Sequence, residues 1–96
     1  MESLYISQKV RLKLQEKHSI TKEDVVECFL NRDGGFLEDT REIHKTDPAT
    51  QWFIAMNNQN KAIKVVFMQL DDGRILLKTA YPANTDEIAI YNKHAY

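Results

Sequence analysis

Residues 51–81, QWFIAMNNQNKAIKVVFMQLDDGRILLKTAY, decide how this chain folds. Three apolar-rich runs, Gln51–Met56, Lys61–Leu70 and Arg74–Tyr81, are separated by Asn57–Asn60 and by Asp72-Gly73. Runs of this length bounded by Asn, Asp and Gly read as strands joined by hairpins, and Asp-Gly suits a tight turn that needs positive φ. Loop length then sets register. A four-residue loop at Asn57–Asn60 pairs Met56 with Lys61 and Phe53 with Lys64. A two-residue loop at Asp72-Gly73 pairs Lys64 with Tyr81 and Phe67 with Lys78. By the two-residue period, Trp52, Ile54, Ile63, Val65, Phe67 and Ala80 share one face, the expected core, where Lys78 reaches for solvent from the sheet end. The other face carries Gln51, Phe53, Ala55, Lys64, Val66, Thr79 and Tyr81.

On the N-terminal side the period is helical. Ser7 to Lys17 reads as a helix capped by Ser7, with Val10 and Leu14 on one stripe and Leu12 at its flank. His18-Ser19-Ile20 breaks it. Thr21-Lys22-Glu23-Asp24 has capping-box spacing and starts a second helix, whose apolar face is Val25, Val26, Phe29 and Leu30 with Cys28 beside it. Gly34-Gly35 ends it, since glycine tolerates positive φ. Phe36 to Lys45 reads as an edge strand or an ordered loop, and Asp47-Pro48 as a turn. After Pro82, Thr85 is the expected cap of a last helix reaching Tyr96, with Asp86 and Glu87 in its first turn. The order is ααββββα, or ααβββα without the edge strand. The expected class is α+β: a small antiparallel three- or four-stranded sheet with two N-terminal helices and one C-terminal helix.

Composition narrows the function. Ninety-six residues, 43% hydrophobic and 28% charged, fit one small domain over 1–96, and three Gly and two Pro are too few for a disordered chain. No apolar run is long enough to span a membrane, and the first residues lack the blocks of a secretory signal, so the cytoplasm is the expected compartment. Cys28 has no cysteine partner and reads as a buried apolar residue. The three histidines lack metal-ligand spacing, and neither a metal nor a cofactor is expected. The net charge of −1 hides a pattern: residues 23–47 hold eight acids, flanked by Lys9, Arg11, Lys13, Lys17 and Lys22 before them and by Lys61, Lys64, Arg74 and Lys78 after. Such blocks mark either a polyanion site or solvated faces.

The remaining constellation suits phosphodiester cleavage without a metal. RNA carries its own nucleophile, so an enzyme need only move protons with His or Glu and stabilise the phosphate with Lys or Arg. Arg41-Glu42-Ile43-His44 places cation, acid and base together, and in extended backbone Glu42 and His44 share a side. The face bearing Lys64, Thr79, Tyr81 and Phe53 suits a nucleic-acid strand, with bases stacked and phosphates neutralised. His44, Lys64, Tyr81, Arg41 and Glu42 are the candidate catalytic residues; Lys17, His18, Phe53, Thr79, Lys61 and Arg74 are the candidate RNA contacts.

In order and spacing, Lys17-His18-x-Ile20-Thr21, Asp39, His44, Lys64-Val65-Val66-Phe67, Lys78-Thr79-Ala80-Tyr81-x-Ala83 and Glu87 with Tyr91 resemble the BrnT-like toxin family across roughly residues 10 to 92. The resemblance implies a RelE-like ribonuclease fold, a small antiparallel sheet with helices on one face, and a type II toxin that cuts RNA and is neutralised by a cognate antitoxin in a heteromeric complex. It implies roles for Lys17, His18, His44, Lys64 and the Thr79-Ala80-Tyr81 strand end. The chain has Tyr81 where the family usually carries Arg, and Ala49-Thr50-Gln51-Trp52 where an acid and an Arg usually follow the histidine. A non-catalytic relative that binds a protein partner through its sheet face is the alternative.

Overall fold

The computed structural model describes residues 3–39 and 48–96. The fold is α+β: β1 (Leu4–Tyr5), α1 (Gln8–Lys13) running into a π-helical turn (Leu14–His18), α2 (Lys22–Asn31), β2 (Leu37–Glu38), β3 (Thr50–Met56), β4 (Ala62–Gln69), β5 (Ile75–Pro82) and α3 (Thr85–His94). The sheet has five strands in the order β1-β5-β4-β3-β2. It is mixed, because β1 lies parallel to β5 while the other pairs are antiparallel. This corrects the expected antiparallel sheet of three or four strands. Both edge strands span two residues, too short for any alternation to announce them.

Local chemistry explains the helix boundaries. The Ser7 hydroxyl accepts the Val10 N–H at 3.2 Å, as expected of an N-cap. Thr21 and Asp24 form the reciprocal capping box read from the sequence. At α3 the cap is Asn84 rather than Thr85, because the Asn84 side chain accepts from the Glu87 N–H at 2.7 Å while the Glu87 carboxylate accepts from the Asn84 N–H at 3.1 Å. The helix ends at His94, short of Tyr96. Ser19, left-handed at φ 53, ends the π turn and frees Ile20 to bury beside Leu14.

The sheet register departs from expectation in two places with opposite consequences. The β4–β5 turn runs one residue longer than Asp72-Gly73 alone, since the Leu70 N–H bonds to the Arg74 carbonyl and Gly73 takes φ 88. A bulge between Val66 and Phe67 then extrudes Lys78, so Phe67 faces Leu77 while Lys64 still faces Tyr81. Lys78 is therefore exposed instead of snorkelling from the core, and Leu77 is buried in its place. The β3–β4 loop is instead one residue shorter than the expected four. The Asn57 N–H bonds to the Lys61 carbonyl at 3.0 Å and leaves three residues, Asn58–Asn60, in the turn. Buried Asn57 accepts the N–H groups of Gln59 and Lys61 on its side-chain oxygen, and Asn60 turns left-handed at φ 63. Met56 consequently pairs with Ala62 and Phe53 with Val65, and no bulge reverses the slip. All of β3 is inverted relative to expectation.

Phe53 thus enters the core rather than a nucleic-acid surface, fully buried with Ala55, Ile63, Val65, Phe67, Leu77 and Ala80. The rings of Phe29, Phe36, Phe53 and Phe67 meet edge-on or tilted, the closest pair, Phe29 and Phe53, at 4.8 Å. Helix α2 closes this face with Val25 and Cys28, while Leu30 points away and is 74% exposed. Trp52 and Ile54 turn to the opposite face with Lys64, Val66, Thr79 and Tyr81. Helix α3 packs there, through Tyr91 against Trp52 at 5.7 Å between ring centroids. Helices therefore cover both faces, where one was expected. Gly34 and Gly35 do not have positive φ; Gly34 instead makes room for Tyr91, whose hydroxyl donates to the Gly35 carbonyl at 2.7 Å.

Candidate functional site

The inverted β3 and the cap of α3 together build a polar cluster on the second face. Lys64 projects from the middle strand and meets the Glu87 carboxylate at 3.0 Å. The Tyr81 hydroxyl donates to the same carboxylate oxygen at 2.9 Å. The Lys64 ammonium sits over the Trp52 ring at 4.5 Å and near the Tyr81 ring at 5.7 Å. His18, at the end of the π turn, tilts toward Tyr81 with ring centroids 5.9 Å apart. The cluster thus has a π-helical turn at its border, a feature frequent at functional sites.

Glu87 organises the group. One carboxylate oxygen caps α3 through Asn84, and the other receives Lys64 and Tyr81. Burial pushes its pKa up, but the Asn84 N–H, Lys64 and Tyr81 outweigh that and hold the carboxyl below its ordinary value. Burial, with the hydrogen bond given to Glu87, raises the Tyr81 phenol despite the pull of Lys64. The result is an ammonium and a phenol aimed at one anionic oxygen. An incoming phosphate that displaced this carboxylate would meet the same two donors.

Of the residues singled out in the sequence, Lys64, Tyr81 and His18 come together. Thr79 lies two residues from Tyr81 on the same face. Lys17, beside His18, is exposed. Lys61 stands at the mouth of the β3–β4 hairpin, its N–H bound by Asn57. Arg74 does not join them: it is ion-paired with Asp72 at 2.6 Å and separated from Tyr81 by the length of β5, about 23 Å of extended chain. Phe53 is on the other face. Arg41, Glu42 and His44 lie outside the described residues.

Glu87 and Trp52 were not among the candidates. The spacing Asn84-x-x-Glu87 spells a capping box, a usable signal for where α3 begins. Nothing local foretells that the second carboxylate oxygen reaches Lys64. Trp52 was hidden by the one-residue register error.

No family model and no curated protein matches this chain. No helix among the described residues is long and apolar enough to cross a membrane. Cys28 is buried, its thiol donating to the Ala55 carbonyl at 3.6 Å. Burial first, then the Asp24 and Glu27 carboxylates, push it up to about 12, which excludes a reactive thiolate at neutral pH.

Proposed function

We propose that the chain is a toxin-type, metal-independent endoribonuclease of RelE-like fold, a divergent BrnT-like toxin that acts in the cytoplasm and is neutralised by a cognate antitoxin. The observation that carries this reading is the Lys64–Glu87–Tyr81 group, joined at 3.0 and 2.9 Å with His18 beside it. The ordered motifs of the sequence, and a small sheet whose three central strands follow two helices and precede a third, support the fold assignment.

The chemistry asks little of such a site. The RNA 2′-hydroxyl attacks the adjacent phosphorus, its proton passing to a carboxylate or imidazole base. The bond to the 5′-oxygen breaks, that oxygen takes a proton from the acid, and a 2′,3′-cyclic phosphate remains. Lys64 and Tyr81 donate to the non-bridging oxygens as charge accumulates there. Glu42 and His44 keep the proton-transfer roles that the sequence assigns them, and Glu87 gives up its oxygen position to the phosphate.

A second reading, a non-catalytic relative that binds a protein partner, draws support from the same ion pair, because Glu87 neutralises Lys64 and α3 covers part of the sheet face. One experiment separates the two: total RNA incubated with the purified protein in EDTA, beside the Lys64→Ala and Lys64→Ala/His44→Ala variants. Cyclic-phosphate products from the wild type alone support the nuclease. Equal cleavage by all three discards these residues. No cleavage by any, with tight capture of an antitoxin, favours the second reading.

A further inference from the structure

Next to the ion pair, β3, the β3–β4 hairpin, the end of α2 and helix α3 border an open groove of about 640 Å³. That size lies within the ~300–1,000 Å³ of small-ligand sites. It is lined by the amides of Asn58, Asn60 and Asn92 and by the apolar or aromatic side chains of Met56, Tyr91 and Tyr96. The side chains of Asn60 and Asn92 are exposed and make no hydrogen bond among the described residues. Met56 and Tyr96 are 50% and 74% exposed. Ile54, in the groove wall, is the cross-strand partner of Lys64, and Ile88, also in the wall, follows Glu87 in sequence. The groove therefore begins one residue from each member of the ion pair, neither of which lines it.

The geometry points to this groove as a subsite for one unpaired nucleobase of an RNA strand whose phosphate is met at Lys64. The phosphate half of this statement rests on the ribonuclease reading; the base half rests on the groove alone. Apart from the phenols, Asp33 is the one ionisable side chain lining it among the described residues, so a phosphate finds no cation there and one repelling carboxylate. A base is uncharged. Its edge offers both donors and acceptors, which side-chain amides complement, and its face stacks on an exposed aromatic ring. Asp33 adds a direction: a carboxylate accepts from exocyclic amino groups, which adenine, cytosine and guanine carry and uracil lacks. Uracil can offer that carboxylate only its N3–H, so the groove favours amino-bearing bases over uracil.

The test is titration of the full chain with the four nucleoside 5′-monophosphates and, separately, inorganic phosphate, followed through the side-chain amide resonances of Asn60 and Asn92. The adenine, cytosine and guanine nucleotides are expected to move these resonances, uridine monophosphate less, and phosphate alone not at all. The Asn60→Ala/Asn92→Ala variant should bind about 25-fold more weakly, as loss of two neutral hydrogen bonds at about five-fold each would give. Shifts located elsewhere, shifts reproduced by phosphate, or unchanged affinity in the variant would overturn the subsite. Cleavage of RNA in EDTA by that variant separates this failure from the other. RNA cut by wild type and variant at the same sequences, with unchanged nucleotide affinity, removes the subsite and leaves the nuclease. Nucleotides bound in the groove with no RNA cut by the wild type leave the subsite and remove the nuclease.

Discussion

Lys64 and Glu87 meet at 3.0 Å between the middle of the sheet and the first turn of the last helix, with only 16% and 17% of their side chains exposed. An ion pair this sheltered is screened less than a surface pair, whose typical contribution is roughly 0.2–1 kcal/mol. Glu87→Gln removes the charge yet keeps a side chain able to complete the capping box. A double-mutant cycle of Glu87→Gln with Lys64→Met, followed by urea unfolding, is expected to give a coupling of about 1–2 kcal/mol. Additive single effects would show that the pair is energetically idle.

The same carboxylate sets an acid limit. Its pKa is held below the ordinary 4.5, so its stabilising effect is complete above 4.5 and is lost as pH falls through the folded-state value, the unfolded chain taking up the proton first. The stability advantage of wild type over Glu87→Gln should stay level from neutral pH to about 5 and shrink below that. Asp72, lowered chiefly by the Arg74 N–H, acts with the same sign but is common to both proteins and cancels. An advantage that widened on acidification would contradict the assignment.

Tyr81 sets the alkaline counterpart. Burial and the bond to Glu87 raise its phenol above the ordinary 10.0, so its contribution is whole below 10.0 and declines as pH climbs through the raised value. Tyr81→Phe should lose about 1–2 kcal/mol at neutral pH, and the gap to wild type should close in alkali. Thermal melts of both proteins between neutral pH and the alkaline limit measure it.

Gly34 is a question of space. A methyl group there would stand 2.7 Å from the Tyr91 hydroxyl and 3.0 Å from two of its ring carbons. Tyr91 is 1% exposed and cannot swing aside. Gly34→Ala should cost about 1–3 kcal/mol, the range for overpacking, and part of that loss should vanish in a Tyr91→Phe background, where the nearest atom is gone. Equal losses in both backgrounds would point to backbone rather than steric strain.

Cys28 should report unfolding. With its thiol pushed up to about 12 and buried, it should resist a disulfide reagent in the native protein at mildly alkaline pH and react in proportion to the fraction unfolded as urea is added. Rapid native labelling would mean that α2 opens locally from the sheet.

The central strands were legible because their apolar runs are long and their turns are marked. The facing of Lys64 and Tyr81 was legible for a subtler reason: the longer β4–β5 turn and the bulge at Lys78 each shift register by one residue, in opposite senses. Strand β3 had no such compensation, and the Asn57 side chain, by gathering the Gln59 and Lys61 N–H groups, moved Phe53 inward and Trp52 outward. Strands β1 and β2 left no periodic trace. Of the cluster, Lys64, Tyr81 and His18 could be read as chemistry-bearing residues, whereas the reach of Glu87 across to Lys64 exists only once helix and sheet are packed.

The pairing of β1 with β5 has a temporal side. Leu4 and Tyr5 lie beside Ile75 and Leu76, and the Ser3 carbonyl accepts the Ile75 N–H at 2.8 Å. On a ribosome the early segment emerges long before its partner is made, and closing so large a loop is entropically slow. Synthesis and assembly are therefore out of step here: Leu4 is translated 71 residues ahead of Ile75, and β1 can be seated only once β5 has been made.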